Sequence, residues 1–161
     1  LDKEYQAIVQ MYADSNPSVP VQAFFGELRF NNANNQILPI TLINRNTNLD
    51  QLLAIHNAIN YPVAYIQGPP RTGKTSTIIN TIITAFFNEK TVLFSSYNNH
   101  PIDGVFEKLS SLKYKENYTI PFPILRIGSN EKIPGTIKYI KQLLCYQEKK
   151  FYQLILDLFL V

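Results

Sequence analysis

The order of apolar runs predicts an α/β fold, a parallel sheet with flanking helices, and three observations carry that prediction. Val63 to Gln67, Thr91 to Ser96 and Phe122 to Ile127 are strand-length runs with too few polar residues for an exposed face. Helical patterns separate them: Ser76 to Phe87, then a stretch marked by Ile102, Val105, Phe106 and Leu109. A glycine-bearing loop, Gly68 to Thr75, joins the first strand to the first of these helices. Strand, helix, strand, helix, strand at this spacing means βαβ units with right-handed crossovers.

The remaining elements follow in chain order. Tyr5, Ile8, Val9 and Tyr12 have helical spacing within residues 4–13, and Asn16-Pro17 stops that helix. Val21 to Phe30 and Gln36 to Ile43 are strand-like runs around an Asn-rich turn, Asn31 to Asn35, which predicts a β-hairpin. Asn44 to Asn48 is a polar connector, and Leu49 to Asn60 is a helix with Leu52, Ile55 and Ile59 on one side. In Ser76 to Phe87 the stripe of Ile78, Ile79, Ile82, Ile83, Phe86 and Phe87 is too wide for a surface helix and predicts packing on more than one side. From Thr136 a long helix is expected, with Ile137, Ile140, Leu144, Phe151, Leu154 and Leu158 near a heptad seam that Gln147 interrupts. These patterns divide the chain into 1–47, 48–135 and 136–161.

Composition narrows the class. Of 161 residues 45% are apolar and only 17% charged, against a usual charged share of about 25%, which excludes a disordered or acidic-tail protein. Fifteen basic and twelve acidic residues leave +3, which permits a polyanionic partner without demonstrating one. Cys145 is the single cysteine, so there is no intrachain disulfide and no cysteine-cluster zinc site. That fits a reducing, cytoplasmic setting, and no apolar run reaches the ~18 residues of a membrane span. The chain opens without Met and stops inside an apolar helical pattern, so a piece of a longer protein is expected.

The chemistry resides in Gly68-Pro69-Pro70-Arg71-Thr72-Gly73-Lys74-Thr75, which satisfies G-x-x-x-x-G-K-[ST], the phosphate-binding loop, with a strand before it and a helix after it. Consecutive N–H groups from about Thr72 to Thr75 can face one concavity, at a helix N-terminus that carries about half a positive charge. Gly73 admits phosphates without a Cβ in the way. Lys74 supplies charge for β- and γ-phosphates, and the Thr75 hydroxyl is placed to ligate Mg²⁺. Pro69 and Pro70 stiffen the loop. Upstream, the Gln51 amide can donate and accept at once, which matches the N6 and N7 edge of adenine, although a glutamine at a helix start is also often solvated.

Leu49-x-Gln51-x-x-Ala54-Ile55, followed by Ile66 to Thr75, resembles the Q motif and motif I of superfamily 1 helicases. Val92-Leu93, with Asn99-x-x-Ile102-Asp103-x-Val105-x-Glu107-Lys108-Leu109, is similar to motif Ia of the branch that contains the nonsense-mediated-decay helicase and senataxin. Ile124 to Ser129 resembles the strand that follows it there. The likeness covers about residues 48–130. It implies the front part of a RecA-like, P-loop NTPase lobe followed by a helical insertion, with ATP and Mg²⁺ as cofactors. It also implies an ATP-driven motor on single-stranded DNA or RNA, completed by a second RecA-like lobe in the same polypeptide.

By the same resemblance, the ATP-binding residues are Gln51, Gly68, Pro69, Pro70, Arg71, Thr72, Gly73, Lys74 and Thr75, of which Lys74 and Thr75 take part in catalysis. Asn98 and Asn99 are the nucleic-acid contacts. Tyr97 could stack on a base and His100 donate to phosphate, or the stretch is a polar loop with Pro101 opening a helix. Arg126 could pair inside the fold or contact a strand.

Two departures stand out: Arg71 where the family has glycine, and Asn98 where it has Ser or Thr. The acidic motif II has no counterpart, since Asp157 is a lone acid in a helical pattern. The chain by itself is therefore expected to bind nucleotide without turning it over. A regulatory ATPase or ATP-binding switch that does not translocate is the rival reading.

Overall fold

The computed structural model describes residues 2–27, 38–43, 46–114, 118–119, 122–128 and 133–145. Six helices occur among them: α1 (Asp2–Ala13), α2 (Val19–Phe24), α3 (Leu49–Asn60), α4 (Lys74–Phe87), α5 (Asn99–Ser110) and α6 (Ile133–Cys145). None is long and apolar enough to cross a membrane.

The expected parallel sheet does not form among the described residues. Among the described residues the strands are two-residue pieces, β1 (Lys113–Tyr114) and β2 (Tyr118–Thr119), paired antiparallel with Lys113 opposite Thr119 and Tyr114 opposite Tyr118. The runs 63–67, 91–96 and 122–127 form no strand among the described residues. The latter two line one cleft of about 580 Å³. Phe94, Phe122 and Ile124 turn inward, whereas all of 63–67 is exposed, and Tyr65, Leu93 and Ile127 stay 86%, 84% and 65% exposed. Apolar content reports a drive toward burial, which Phe94, Phe122 and Ile124 satisfy by packing in the cluster built on α4 and α5. It does not supply the neighbour that a hydrogen-bonded ladder requires.

The predicted hairpin is corrected too. Residues 21–24 belong to α2, which Ser18 opens in an extended conformation with Pro20 in the first turn. Proline's fixed φ is already helical, and its missing N–H costs nothing at that position. Residues 28–37, which hold the turn, lie outside the described residues, and 38–43 are not strand. Of the long helix expected from Thr136, α6 is the described part, and residues 146–161 lie outside it.

Helix α4 organises the molecule. Ile79, Ile82 and Ile83 join Val105 and Leu109 of α5 and Phe122 in one buried cluster, with Ile78, Phe86, Phe87, Phe94, Leu112 and Ile124 packed against it. Helix α3 packs on α4 as well, so the doubled apolar stripe does face more than one neighbour. Each such aliphatic side chain contributes about 1.5–3 kcal/mol on burial.

The polar residues of α4 follow their own line. Asn88 Nδ2 donates to Pro39 O at 2.9 Å, and Thr84 Oγ1 donates to Thr41 O at 2.9 Å while accepting from Thr41 N at 3.1 Å. Asn80 Oδ1 accepts from Ile43 N at 3.1 Å. Every second residue of 39–43 therefore meets every fourth residue of α4, in antiparallel sense. Thr84 is fully buried and Asn80 nearly so, and these bonds are what allow polar groups to lie there.

Candidate nucleotide site and the cluster around Asn99

Helix α3 begins with a reciprocal capping box. Asn48 Oδ1 accepts from Gln51 N at 2.8 Å, and Gln51 Oε1 accepts from Asn48 N at 3.3 Å. The other end of the same amide crosses to the loop, where Gln51 Nε2 donates to Thr72 O at 3.0 Å. The packing of α3 on α4 thus brings Gln51 and the loop together across 21 positions of sequence.

The loop ends at Gly73, which caps α4 with φ 84° and ψ 19° in the left-handed region. Only glycine adopts this freely, and a Cβ there would lie 2.4 Å from Gln51 Nε2. A Cβ on Gly68 would lie 2.8 Å from Thr72 Oγ1, which itself donates to Pro69 O at 2.8 Å. Both motif glycines are therefore set by close approach, Gly68 within the loop and Gly73 to Gln51 of α3. Lys74 Nζ reaches back to Gly68 O and Pro69 O, each at 2.6 Å, so its ammonium lies over the loop. The first backbone bond of α4 runs from Thr77 N to Gly73 O at 3.0 Å, so the N–H groups of Lys74, Thr75 and Ser76 have no intrahelical carbonyl. Pro69, Pro70, Arg71, Thr72, Lys74 and Thr75 are all exposed.

Arg71 also takes a left-handed conformation, φ 67°. That is the backbone glycine would adopt without strain, so the sequence oddity at this position is a conformational one as well. For an arginine it costs about 1 kcal/mol.

Asn98 and Asn99 form a second group with neighbours that sequence reasoning had not joined to them. Asn98 is the N-cap of α5, with extended φ −107° and ψ 148° and no side-chain capping bond, and it is exposed. Asn99 Oδ1 accepts from Arg126 Nη2 at 2.9 Å. Arg126 Nε donates to Asp103 Oδ1 at 2.9 Å, an ion pair, and Nη1 donates to Ile127 O. Arg126 thus pairs inside the fold. The partial signal was Asp103 four positions after Asn99, on the same face of α5. The charge at Arg126 within an apolar run also implied a buried partner. Tyr97 and His100, beside this group, are exposed.

Comparison with known proteins bears on both groups. Residues 46–153 match the family model described as an AAA domain. The chain is 30% identical over 107 residues to DNA polymerase alpha-associated DNA helicase A of Saccharomyces cerevisiae, covering 65% of this chain and 14% of that protein. It is 29% identical over 105 residues to DNA-binding protein SMUBP-2 of Mus musculus, covering 65% and 10%. It is 43% identical over 49 residues to an uncharacterized ATP-dependent helicase of Mycoplasma genitalium, covering 30% and 4%. The chain thus spans a small part of each of these relatives. No solved structure matches it.

Proposed function

The chain belongs to the AAA domain family, and from that premise we propose that it is the ATP-binding part of a superfamily 1 helicase or translocase acting on single-stranded DNA or RNA. The observation that carries this reading is the loop itself. Left-handed Gly73 turns the chain into α4, Lys74 lies over the loop, and three N–H groups at the start of the helix lack intrahelical acceptors. The residues fit a nucleotide triphosphate with Mg²⁺. The carbonyls of Gly68 and Pro69 hold the Lys74 ammonium as phosphate oxygens would, and the Thr75 hydroxyl is exposed for the metal. Bound Mg²⁺ would neutralise charge on the β- and γ-phosphates.

Gln51 holds the loop through Thr72 O and its own helix start through Asn48 N, which leaves one amide N–H and one oxygen lone pair for adenine. The names of the relatives, two helicases and a DNA-binding protein, support a strand as the second ligand, and the likeness to motif Ia supports Asn98 and Asn99 as contacts. The branch resembled in motif Ia supports a second lobe elsewhere in the polypeptide.

Titration with a fluorescent ATP analogue tests the proposal. Lys74→Ala is expected to weaken binding at least tenfold, about 1.4 kcal/mol. Equal affinity for the two forms would remove the phosphate-loop reading.

A further inference from the structure

Arg126 is a cation with 6% exposure in the middle of an apolar segment, and its guanidinium is committed in three directions. Nε meets Asp103, Nη1 meets the Ile127 carbonyl, and Nη2 meets Asn99 Oδ1. Thr136 Oγ1 of α6 donates to the Arg126 carbonyl at 2.7 Å, so the backbone under this side chain is fastened as well. A buried ion pair contributes little to net stability compared with apolar residues of similar volume, because desolvation offsets the attraction. What such a group does supply is direction.

The direction falls on Asn99. A guanidinium has five donors and no acceptor, so the amide atom facing it must be the oxygen. The usual ambiguity between the two ends of an asparagine amide is thereby resolved by the chemistry of the neighbour. The nitrogen, with two N–H donors, is the end left at the surface of an exposed residue. Asp103 offsets the charge of Arg126, so the cluster offers its outside a fixed neutral donor and keeps its cation inside. An outward N–H₂ donor suits phosphate oxygens, which asparagine amides commonly contact.

We propose that Arg126 is a positioning residue that fixes the Asn99 amide as a hydrogen-bond donor to the sugar–phosphate backbone of a nucleic-acid strand. The inference rests on the strand-binding function proposed above and specifies which atom engages the strand. Arg126 itself does not touch the strand.

The decisive variant is Asn99→Asp. It keeps the shape of the side chain and an oxygen for Arg126, so the internal cluster is retained or tightened. The outward N–H₂ becomes a second carboxylate oxygen, which repels phosphate. Fluorescence anisotropy of labelled oligo(dT) and oligo(U) at low ionic strength, with an ATP analogue titrated in parallel, reads both ligands. Asn99→Asp is expected to lower strand affinity at least tenfold, equivalent to about 1.4 kcal/mol, with nucleotide affinity unchanged. Arg126→Gln is expected to lower strand affinity in the parent chain and to produce no further loss in an Asn99→Ala background.

If Asn99 serves only to satisfy Arg126, Asn99→Asp binds oligonucleotide as the parent does, and the proposal is overturned while strand binding stands. If Arg126→Gln weakens strand binding equally with and without Asn99, Arg126 acts by another route and the proposal is likewise overturned. A parent chain that binds neither oligonucleotide removes the strand-binding reading and this proposal with it.

Discussion

Replacing Gly73 with alanine tests the contact that joins the two halves of the candidate nucleotide site. At φ 84° an alanine pays about 1–2 kcal/mol for left-handed backbone. Its Cβ would also lie 2.4 Å from Gln51 Nε2, the movable end of a long side chain, so the amide swings away. That forfeits the bond to Thr72 O, worth about 1 kcal/mol. Gly73→Ala should therefore destabilise the chain by about 2–3 kcal/mol, the sum of these two effects. Gln51→Ala loses the same bond together with the capping-box bond to Asn48 N, and should destabilise by about 2 kcal/mol. The double variant pays the backbone strain once and the lost bond to Thr72 O once, because no amide remains to be displaced. Its cost should fall short of the sum of the single variants by about 1 kcal/mol. Urea denaturation of the four forms, extrapolated linearly, resolves this difference. Additivity to within about 0.3–0.5 kcal/mol would mean that Gln51 and Gly73 act independently, and the picture of α3 steadying the loop through one amide would fall.

Other perturbations reach other parts of the chain. Thr84→Val keeps the shape of a fully buried side chain but leaves Thr41 N and O without their partner, and should cost about 1–3 kcal/mol in the same denaturation assay. Arg71→Gly relieves about 1 kcal/mol of left-handed strain while a freer unfolded chain takes back about 0.5–1 kcal/mol, so stability should hardly change. Arg71→Ala keeps most of the strain, and comparing nucleotide affinity across the two variants separates the guanidinium from the backbone. Burial raises the Tyr139 hydroxyl above its ordinary 10.0. Its folded form favours the neutral phenol, so its contribution to stability is fully present below pH 10 and is lost as pH rises beyond it. Ultraviolet titration should find a late-ionising tyrosine that Tyr139→Phe abolishes.

Much of the helical framework was legible because its signals are local. Asn48 and Gln51 at capping-box spacing mark the start of α3, and the wide stripe of α4 announces packing on several sides. Sheet formation was not legible. A run such as Thr91 to Ser96 states its own hydropathy and nothing about which backbone lies beside it. Helix α2 was legible in principle, since Ser18 and Pro20 are start signals, but the apolar residues after them read equally well as a strand. At the site, the loop pattern identified the glycines and Lys74, whereas the bond from Gln51 to Thr72 depends on how α3 lies on α4. Asn99 was singled out as a nucleic-acid contact, whereas its tie to Arg126 spans 27 positions and appears only once α5 and the segment 122–128 are brought together.

The seam between α4 and residues 39–43 joins two rulers with different gradations. Four residues of helix advance about 6.0 Å, and two residues of extended chain advance about 6.6–6.8 Å. From Asn88 through Thr84 to Asn80 the mismatch accumulates to about 1.2–1.6 Å, still within what flexible amides and a hydroxyl can absorb. One further step would carry it to about 2 Å, beyond the tolerance of a hydrogen bond. A helix can thus template extended chain only over a short span. Unlike the open edge of a sheet, which can recruit strand after strand, this seam halts its own growth.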